Sequence, residues 1–309
     1  MSDSSVTSPP VVVITGANGF VGLSTCAALV KRGATVRAVV RRAGTAPAIV
    51  GVEEWVGDFH DLDLAAAVVK GARAVITTVH PNIWETDRET QQRIAVEGTP
   101  VLARAARDAG VDRLVHISTV AVYDSSPGVG DVDEASPLVG DDPDEDYAVT
   151  KRDTDAVLAE IDGLTRVLVR PPAILGPGER STWNTTVPEM VRNDEEARHS
   201  VPRESFNWVH VDDLAAFVAD VASGAIATST DPETGPVEGA CTVVNVAAGR
   251  ATARDYLEAV TGALGVEPVW DEEPAWTGRL VADRAARWGW MPSVDLRRAL
   301  AELDEGLRR

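Results

Sequence analysis

Short, nearly continuous hydrophobic runs recur along this sequence and alternate with longer amphipathic segments. The runs are rich in β-branched residues and predict strands at 11–15, 35–40, 72–79, 113–119, 165–170 and 242–247. Because they lack an alternating polar face, they are typical of strands buried on both sides of a parallel sheet.

Apolar residues at helical spacing fill the segments between these runs. They predict helices over 21–32, 62–70, 87–109, 147–161 and 212–222. The alternating order of strands and helices predicts an α/β fold with a doubly wound parallel sheet and right-handed crossovers.

The pattern loosens in the C-terminal half, which is richer in Pro, Gly and Trp. We therefore expect residues 11–175 to form the sheet domain, with 207–250 returning to it. Residues 176–206 and 251–309 are expected to form a smaller interleaved C-terminal lobe that binds the substrate. Residues 1–10 read as a disordered tail.

Charge and composition narrow the functional classes. The 309-residue chain has a formal net charge of −19 and a pI near 4.6. Such a field repels phosphate backbones and anionic lipids, so neither nucleic acid nor a membrane is an expected partner. No stretch approaches the roughly 18 apolar residues of a membrane span, and no signal peptide is recognisable. The acidic stretch 141–146 reads as a solvated loop and helix start.

Cysteine and histidine usage adds little chemistry. Cys26 and Cys241 lie far apart in apolar surroundings, which favours reduced core residues in a cytoplasmic protein. No His/Cys cluster has the spacing of metal ligands, so no metal is expected.

A glycine-rich turn, TGANGFVG, follows the first predicted strand and leads straight into a helix. Gly16, Gly19 and Gly22 allow a tight turn and a close approach of the backbone to a pyrophosphate, which rests on the positive helix N-terminus. This context predicts a dinucleotide site in a Rossmann-type sheet.

The end of the second predicted strand indicates which dinucleotide binds. An NAD site places an acidic residue there for the ribose 2′-hydroxyl, whereas this chain has Arg41 and Arg42. Two guanidinium groups suit a 2′-phosphate and favour NADP over NAD, unless they simply form a basic surface turn. Arg37 could contribute to the phosphate site or to such a turn. Asp58, after the third strand, either accepts a hydrogen bond from the adenine amino group or caps a helix.

The segment YAVTK places Tyr147 four residues before Lys151, in a chain with only three tyrosines and three lysines. A solvated helix pair of this kind contributes only about 0.2–0.5 kcal/mol. A nearby ammonium also favours the phenolate of a phenol whose ordinary pKa is about 10. Acid–base catalysis is best when that pKa approaches the working pH, so the pair is a candidate catalytic centre.

The motifs together resemble the extended short-chain dehydrogenases/reductases. This superfamily includes NAD-dependent epimerases/dehydratases and 3β-hydroxysteroid-dehydrogenase-like reductases. The resemblance covers residues 11–300 and is carried by TGANGFVG, VGDFHD, HISTVAVY, YAVTK, RPPAILGPG, FNWVHVDDLA and RWGWMP.

The resemblance implies roles for individual side chains. Tyr147 would exchange a proton with the substrate oxygen, Lys151 would be its partner, and Thr119 would orient that oxygen, while nicotinamide exchanges a hydride. Ser118 is expected to face the sheet packing. His80 would lie near the nicotinamide ribose, either facing the substrate or bonded to structure.

The same resemblance implies the rest of the site. Cofactor contacts would come from the glycine-rich turn, from the ends of the following strands and from the segment after the sixth strand: Gly16, Asn18, Gly19, Phe20, Val21, Gly22, Arg41, Arg42, Asp58, Phe59, Thr78, Val79, His80, Tyr147, Lys151, Pro171, Ala173 and Ile174. Substrate contacts would come from His80, Thr119, Trp183 and Trp208, although either tryptophan could instead belong to the core.

Departures from the family pattern bear on the substrate. Ala95 stands where an Asn usually supports a relay water. Ala173 and Leu175 replace the Asn and aromatic residue of nucleotide-sugar enzymes, which makes the chain more similar to reductases of ketones, aldehydes or sterol-like alcohols. We expect an NADP(H)-dependent oxidoreductase that interconverts a small-molecule carbonyl and a secondary alcohol.

The alternative is a nucleotide-sugar epimerase or dehydratase with tightly bound NAD. A cofactor-sensing binding protein would be expected to lack the Tyr–Lys pair. The helix predicted over 87–109 corresponds to helix four of the family and has a small apolar face of Ile94, Val101, Leu102, Ala105 and Ala109. That face favours a homodimer through helices four and five of the family, unless it packs on the sheet.

Overall fold

The computed structural model describes residues 9–81, 86–141 and 145–308. The expected N-terminal tail, residues 1–10, therefore lies almost entirely outside the described residues. So does the middle of the acidic stretch 141–146.

The strands follow the hydrophobic runs closely and add several short ones in the C-terminal half. In chain order they are β1 (Val11–Thr15), β2 (Thr35–Val40), β3 (Val52–Val56), β4 (Ala74–Thr77), β5 (Arg113–Ile117), β6 (Thr165–Arg170), β7 (Ala173–Leu175), β8 (His199–Ser200), β9 (Ser205–His210), β10 (Cys241–Asn245), β11 (Gly249–Thr252) and β12 (Val269–Trp270).

The helices lie between them. In chain order they are α1 (Phe20–Lys31), α2 (Leu62–Val69), α3 (Arg88–Gln92), α4 (Thr99–Asp108), α5 (Asp146–Ala159), α6 (Val187–Asn193), α7 (Val211–Ser223), α8 (Ala253–Leu264), α9 (Asp283–Arg287) and α10 (Leu296–Leu307).

Seven parallel strands form the central sheet, in the order β10-β6-β5-β4-β1-β2-β3. Side chains of α1 and α7 pack on one face, and side chains of α2, α4 and α5 pack on the other. The predicted doubly wound Rossmann sheet is therefore confirmed. Strand order reverses between β1 and β4, where open α/β sheets of this kind form their ligand crevice.

The helix predicted over 87–109 is confirmed as an unbroken helical run from Arg88 to Asp108, with a π-helical segment in its middle. This wider segment, Arg93–Gly98, lies between α3 and α4. Pro100, near the start of α4, has no amide hydrogen to donate to the carbonyl of Val96, so one bond of the regular ladder is missing and the turn widens. Ala95, at the position where the family usually has Asn, is buried in this turn.

A second, smaller sheet has the strand order β11-β9-β7. Its side chains form a separate hydrophobic cluster with those of α6, α8 and α10. Trp288 and Trp290, by contrast, pack into the cluster of the central sheet beside Phe217. The division of the chain into two lobes at the predicted boundaries stays a prediction. No helix in the described ranges is both long and apolar enough to cross a bilayer.

Candidate active site

The glycine-rich turn after β1 is built so tightly that side chains are excluded. Gly16 has φ +70°, and a Cβ added there would lie 2.5 Å from Thr78 Oγ1. A Cβ on Gly22 would overlap the Gly16 carbonyl oxygen, so α1 can approach the turn only because residue 22 is glycine. Gly19 is different, because an added Cβ would meet only Gly16 O within 4 Å. The turn is thus open on the Gly19 side, while Val21 faces the core.

Neighbouring segments border this turn. The end of β4 lies against it, since Thr78 Oγ1 donates to Thr15 O over 2.9 Å and the Val79 side chain lies beside Gly16. The loop after β7 reaches over from the other side, where Arg180 Nη1 donates to Asn18 O over 2.6 Å. Phe20 lies beside the same loop. Sequence reasoning did not assign Arg180 to this site.

Arg41 and Arg42 follow β2 and are exposed. Within the described ranges neither guanidinium forms an ion pair with an acidic side chain. The turn that carries them is braced by Glu54 of β3, whose carboxylate accepts hydrogen bonds from Gly44 N and Ala46 N at 2.9 and 3.0 Å. Both guanidinium groups thus stand at the end of β2 without an ion-pair partner among the described residues.

The Arg37 side chain, by contrast, makes contacts within the protein. Its Nη1 donates to Val68 O and Lys70 O, each at 2.7 Å, and so satisfies carbonyls at the C-terminal end of α2. The guanidinium also lies over the Trp55 ring, 5.4 Å from the centroid. A contribution of Arg37 to nucleotide selection is thus not favoured by its contacts.

Asp58 and Phe59 lie between β3 and α2. Asp58 accepts a hydrogen bond from His60 N over 3.0 Å, whereas α2 is capped by Asp61, which accepts from two backbone amides of its first turn. The cap interpretation of Asp58 is therefore wrong, and its carboxylate is left for the predicted adenine contact. The Phe59 ring is buried in the core, so its predicted cofactor contact would come from its backbone.

The three predicted catalytic side chains meet at the carboxyl ends of β5 and its neighbours. The side chain of Thr119 lies close enough to Tyr147 to counteract the rise in its pKa. Thr119 follows β5, and its Oγ1 accepts from Ala121 N over 3.2 Å, which fixes the side chain in place. Lys151 lies one turn further along α5, and its Nζ donates to Ile117 O over 2.8 Å.

The other two tyrosines have structural contacts. Tyr123 is 1% exposed and donates to Asn245 Oδ1 over 2.9 Å. Tyr256 is buried and donates to Trp183 O over 2.5 Å. Tyr147 differs from both, because it lies near Thr119 and one helical turn before buried Lys151.

Burial shifts the acid–base properties of the pair in opposite senses. It lowers the pKa of Lys151 to about 8, while the negative charge of Asp155 opposes this shift. It raises the pKa of Tyr147, and the nearby Thr119 side chain counteracts the rise. Lys151 can therefore change its charge near neutral pH, a property expected of a group that takes part in proton transfer.

His80 lies against the catalytic tyrosine. Its ring contacts that of Tyr147 edge-on, with centroids 4.9 Å apart. Nδ1 lies 2.8 Å from Pro81 O, and since a carbonyl only accepts, Nδ1 carries the hydrogen. Burial, reinforced by the Lys151 charge, lowers the pKa of His80 to about 3. The imidazole is neutral at physiological pH, and its buried Nε2 is an acceptor without a hydrogen-bond donor among the described residues.

The segment after β6 borders the same edge. Val120 N donates to Pro171 O over 3.0 Å, which ties this segment to the turn that carries Thr119. Ala173 and Ile174 follow in β7 and remain partly exposed. Their predicted cofactor contacts stay predictions, as do those of the other residues named above.

The two tryptophans predicted to contact substrate differ in exposure. Trp208 is 4% exposed in β9 and packs in the cluster of the smaller sheet, so little of its ring is available to a ligand. Trp183 is only partly buried and contacts Phe206 and Tyr256 edge-on. Of the two, Trp183 has the exposure that a substrate wall needs.

A buried polar cluster behind Lys151 was not found from the sequence. Asp155 Oδ2 accepts from Ser118 Oγ at 2.8 Å and from Arg170 Nε and Nη2 at 3.0 and 2.9 Å. Ser118 thus points away from Tyr147, as expected. The available signal was the acidic residue four positions after Lys151 on the same helix.

These residues fit a dinucleotide cofactor. The turn offers a backbone cradle that a side chain at Gly16 or Gly22 would fill, and two unpaired arginines stand at the end of β2. The Tyr147–Thr119–Lys151 group lies at the carboxyl ends of neighbouring strands in the same sheet. The arrangement can move a proton at one end and bind phosphate at the other.

Comparison with known proteins agrees with this geometry. Residues 12–229 match the NAD dependent epimerase/dehydratase family. The chain is 34% identical over 170 residues to sterol demethylase protein B of Methylococcus capsulatus, covering 53% of this chain and 52% of that protein. It is 30% identical over 220 residues to 2-alkyl-3-oxoalkanoate reductase of Stenotrophomonas maltophilia, covering 67% and 64%. The match to the first of these relatives thus spans about half of its length.

Solved structures extend the likeness in fold to nearly the whole chain. The Bordetella bronchiseptica enzyme WbmG in complex with NAD superposes with a TM-score of 0.75 at 18% identity, covering 98% of this chain and 95% of that one. UDP-glucose 4-epimerase of Thermotoga maritima gives 0.75 at 17% identity, covering 96% and 98%. From the family match, the sheet topology and the motifs, the chain belongs to the NAD-dependent epimerase/dehydratase family of extended short-chain dehydrogenases/reductases.

Proposed function

We propose that this protein is an NADP(H)-dependent oxidoreductase that interconverts a carbonyl group and a secondary alcohol. The observation that carries the proposal is that Tyr147 and Thr119 lie near each other beside the end of β5, where the Nζ of buried Lys151 donates to Ile117 O over 2.8 Å. Several relatives in the family are named as reductases or dehydrogenases, which supports oxidoreductase chemistry.

Each side chain has a defined task in the proposed reduction. Thr119 donates a hydrogen bond to the substrate oxygen and holds it against Tyr147. Tyr147 transfers its proton to that oxygen as negative charge develops there, and the Lys151 ammonium stabilises the phenolate left behind. Bound NADPH would supply the hydride that reaches the carbonyl carbon. Alcohol oxidation uses the same groups in reverse.

The surroundings favour an apolar carbonyl substrate over a nucleotide sugar. Ala173 and Leu175 offer no amide or aromatic ring to a diphosphate-linked sugar, and Trp183 offers a flat apolar wall. His80 Nε2, an acceptor facing no donor among the described residues, would suit a hydroxyl of the substrate or of the nicotinamide ribose. Nucleotide-sugar epimerase or dehydratase activity is the alternative.

The direct test combines cofactor binding with turnover. Purified protein is titrated with NADP and NAD, and NADPH oxidation is followed at 340 nm with a panel of ketones, aldehydes and steroid-like carbonyls. Turnover of at least one carbonyl is the expected result. Protein that retains NAD on purification and converts a UDP- or dTDP-hexose without added cofactor would overturn the proposal.

Arg41 and Arg42 are proposed to select NADP by pairing with its 2′-phosphate. Replacing both by alanine should raise the Kd for NADP by about 10–100-fold, because charge-assisted hydrogen bonds are lost, and should leave the Kd for NAD nearly unchanged. Arg73→Ala is the control. Arg73 lies at the amino end of β4, whereas Arg41 and Arg42 lie at the carboxyl end of β2. Equal losses for both cofactors would contradict the assignment.

The charge of Lys151 should set the alkaline limit of carbonyl reduction. Its pKa is lowered to about 8 by burial, so above pH 8 the ammonium is progressively lost and kcat/KM should fall about tenfold per pH unit. Lys151→Arg should remove this decline, at lower activity, because a guanidinium stays charged. A profile that stays flat to pH 9.5 in the unmodified protein would show that Lys151 does not act as an ammonium.

Two further expectations remain proposals. A homodimer would use α4 and α5, although Leu102 of the small apolar face of α4 is fully buried against the sheet. Sedimentation velocity would decide between monomer and dimer. A cytoplasmic location is proposed because Cys26 and Cys241 are both free thiols, which suits a reducing compartment.

A further inference from the structure

A buried carboxylate lies one helical turn beyond Lys151 on α5. Asp155 is 3% exposed and Lys151 is 4% exposed, so neither charge is hydrated. Residues four apart on a helix face the same way, with Cβ atoms about 5–6 Å apart. The two side chains therefore interact through the protein interior, where screening by water is weak.

Three donors fix this carboxylate from neighbouring strands. The Ser118 hydroxyl and two nitrogens of Arg170 all bond to Oδ2, at 2.8, 3.0 and 2.9 Å. Arg170 is held in turn over the Tyr123 ring, 4.8 Å from its centroid. Oδ1 takes no hydrogen bond from any described residue. One oxygen thus anchors the carboxylate. Burial raises the pKa of Asp155, and the charge of the Arg170 guanidinium acts most strongly against this rise.

We propose that Asp155 is a positioning residue whose buried carboxylate holds Lys151 in its ammonium form behind Tyr147. The proposal deepens the proposed function, on which it rests for the meaning of the Lys151 charge. Without the carboxylate, an ammonium surrounded by protein would lose its proton more readily and would no longer stabilise a phenolate at Tyr147.

The other titratable groups around Lys151 do not supply this negative charge. His80, after β4, and His116, on β5, are both buried, and burial lowers the pKa of each far enough to keep it neutral. Tyr147 is neutral because burial raises its pKa. Arg170 is a cation and pairs with Asp155 itself. His116 Nε2 lies 4.0 Å from Asp155 Oδ1, too far for a direct hydrogen bond.

The chain offers a direct readout of this charge, because it contains only three lysines. Lysine labelled with ¹³C at Cε gives three signals whose shifts follow deprotonation of each ammonium. Lys31 and Lys70 are exposed and serve as internal references. The Lys151 signal is identified by its absence in Lys151→Met, and the titration needs neither cofactor nor substrate.

Asp155→Asn should lower the midpoint of the Lys151 titration by about one pH unit or more, while Lys31 and Lys70 titrate as before. Asp155→Glu retains the charge and should keep the midpoint close to that of the unmodified protein. Asp153→Asn is the matched control, since this carboxylate lies on the same helix but is partly exposed and pairs with Arg152. It should leave the Lys151 midpoint unchanged.

Folding of each variant is checked by thermal melting and near-UV circular dichroism. If Asp155→Asn does not fold, because Arg170 loses its partner, the neutral pair Asp155→Asn/Arg170→Gln replaces it. Its Lys151 midpoint should also fall, since the carboxylate is the charge that acts on Lys151.

A folded variant with an unmoved Lys151 midpoint would overturn the proposal and leave Asp155 as a structural anchor for Arg170. The same would follow if Asp155→Glu shifted the midpoint as far as Asp155→Asn does. Failure of the proposed function would be seen in a different experiment, in which the unmodified protein reduces none of the carbonyl compounds.

Discussion

Tyr147→Phe is expected to lower kcat for carbonyl reduction by about 10³-fold, within the 10²–10⁴-fold range of general acid catalysis. The substitution removes the hydroxyl of Tyr147 and keeps the ring that contacts His80. The substrate oxygen would then develop negative charge without a proton donor. Cofactor binding should persist, because the phosphate cradle lies around Gly16 and Gly22. Steady-state kinetics at 340 nm and NADP titration by fluorescence measure the two effects.

Tyr123→Phe is the matched control for this experiment. It removes a buried hydroxyl that donates to Asn245 Oδ1 and keeps the ring beneath Arg170. It should cost some stability, about 1 kcal/mol for a lost buried hydrogen bond, with kcat changed by less than about threefold. Equal losses of kcat in the two variants, or a Tyr147→Phe protein with full turnover, would contradict the role assigned to Tyr147.

Much of the sheet and the tight glycine-rich turn were predictable because they depend on local pattern. Buried parallel strands must be apolar on both faces, so 11–15, 35–40 and 165–170 were recognisable as strands from the sequence alone. The glycine-rich turn was equally readable, since the close contact of Gly22 with Gly16 excludes any side chain. Such features depend on few neighbours in sequence.

Errors arose where distant contacts decide the outcome. Asp58 and Asp61 are both plausible helix caps by sequence, and only the path of the chain selects Asp61. By sequence, Arg37 could have contacted a nucleotide. In the fold, its guanidinium donates hydrogen bonds to carbonyl groups at the C-terminal end of α2.

The Asp155 cluster shows the same limit at the active site. Its members come from β5, α5 and β6, which are adjacent only after the sheet has formed. From the sequence alone, Asp155 and Lys151, four positions apart on a helix, are expected to form an ordinary ion pair on the protein surface. Only the structure shows that both are buried. Burial changes its energetics, because a charge that costs little in water becomes expensive without partners.

Arg170→Met should destabilise the protein by about 3–5 kcal/mol, the cost of leaving a buried carboxylate without its cation. Asp155 would lose the bonds from Arg170 Nε and Nη2, and both side chains are almost fully shielded from water, at 4% and 5% exposure. The loss should appear as a lower midpoint of urea denaturation, followed by tryptophan fluorescence. Arg170→Met/Asp155→Leu should recover most of the stability, because the apolar pair leaves no buried charge.

Arg308→Met is the matched control, since Arg308 pairs with Asp304 on the exposed end of α10. Its denaturation midpoint should agree with that of the unmodified protein within error, because exposed ion pairs contribute little. If Arg170→Met lost no more stability than this control, the carboxylate of Asp155 would have to be protonated or hydrated after substitution. In that case Arg170→Met/Asp155→Leu should be no more stable than Arg170→Met, because no unpaired buried charge would remain to be removed.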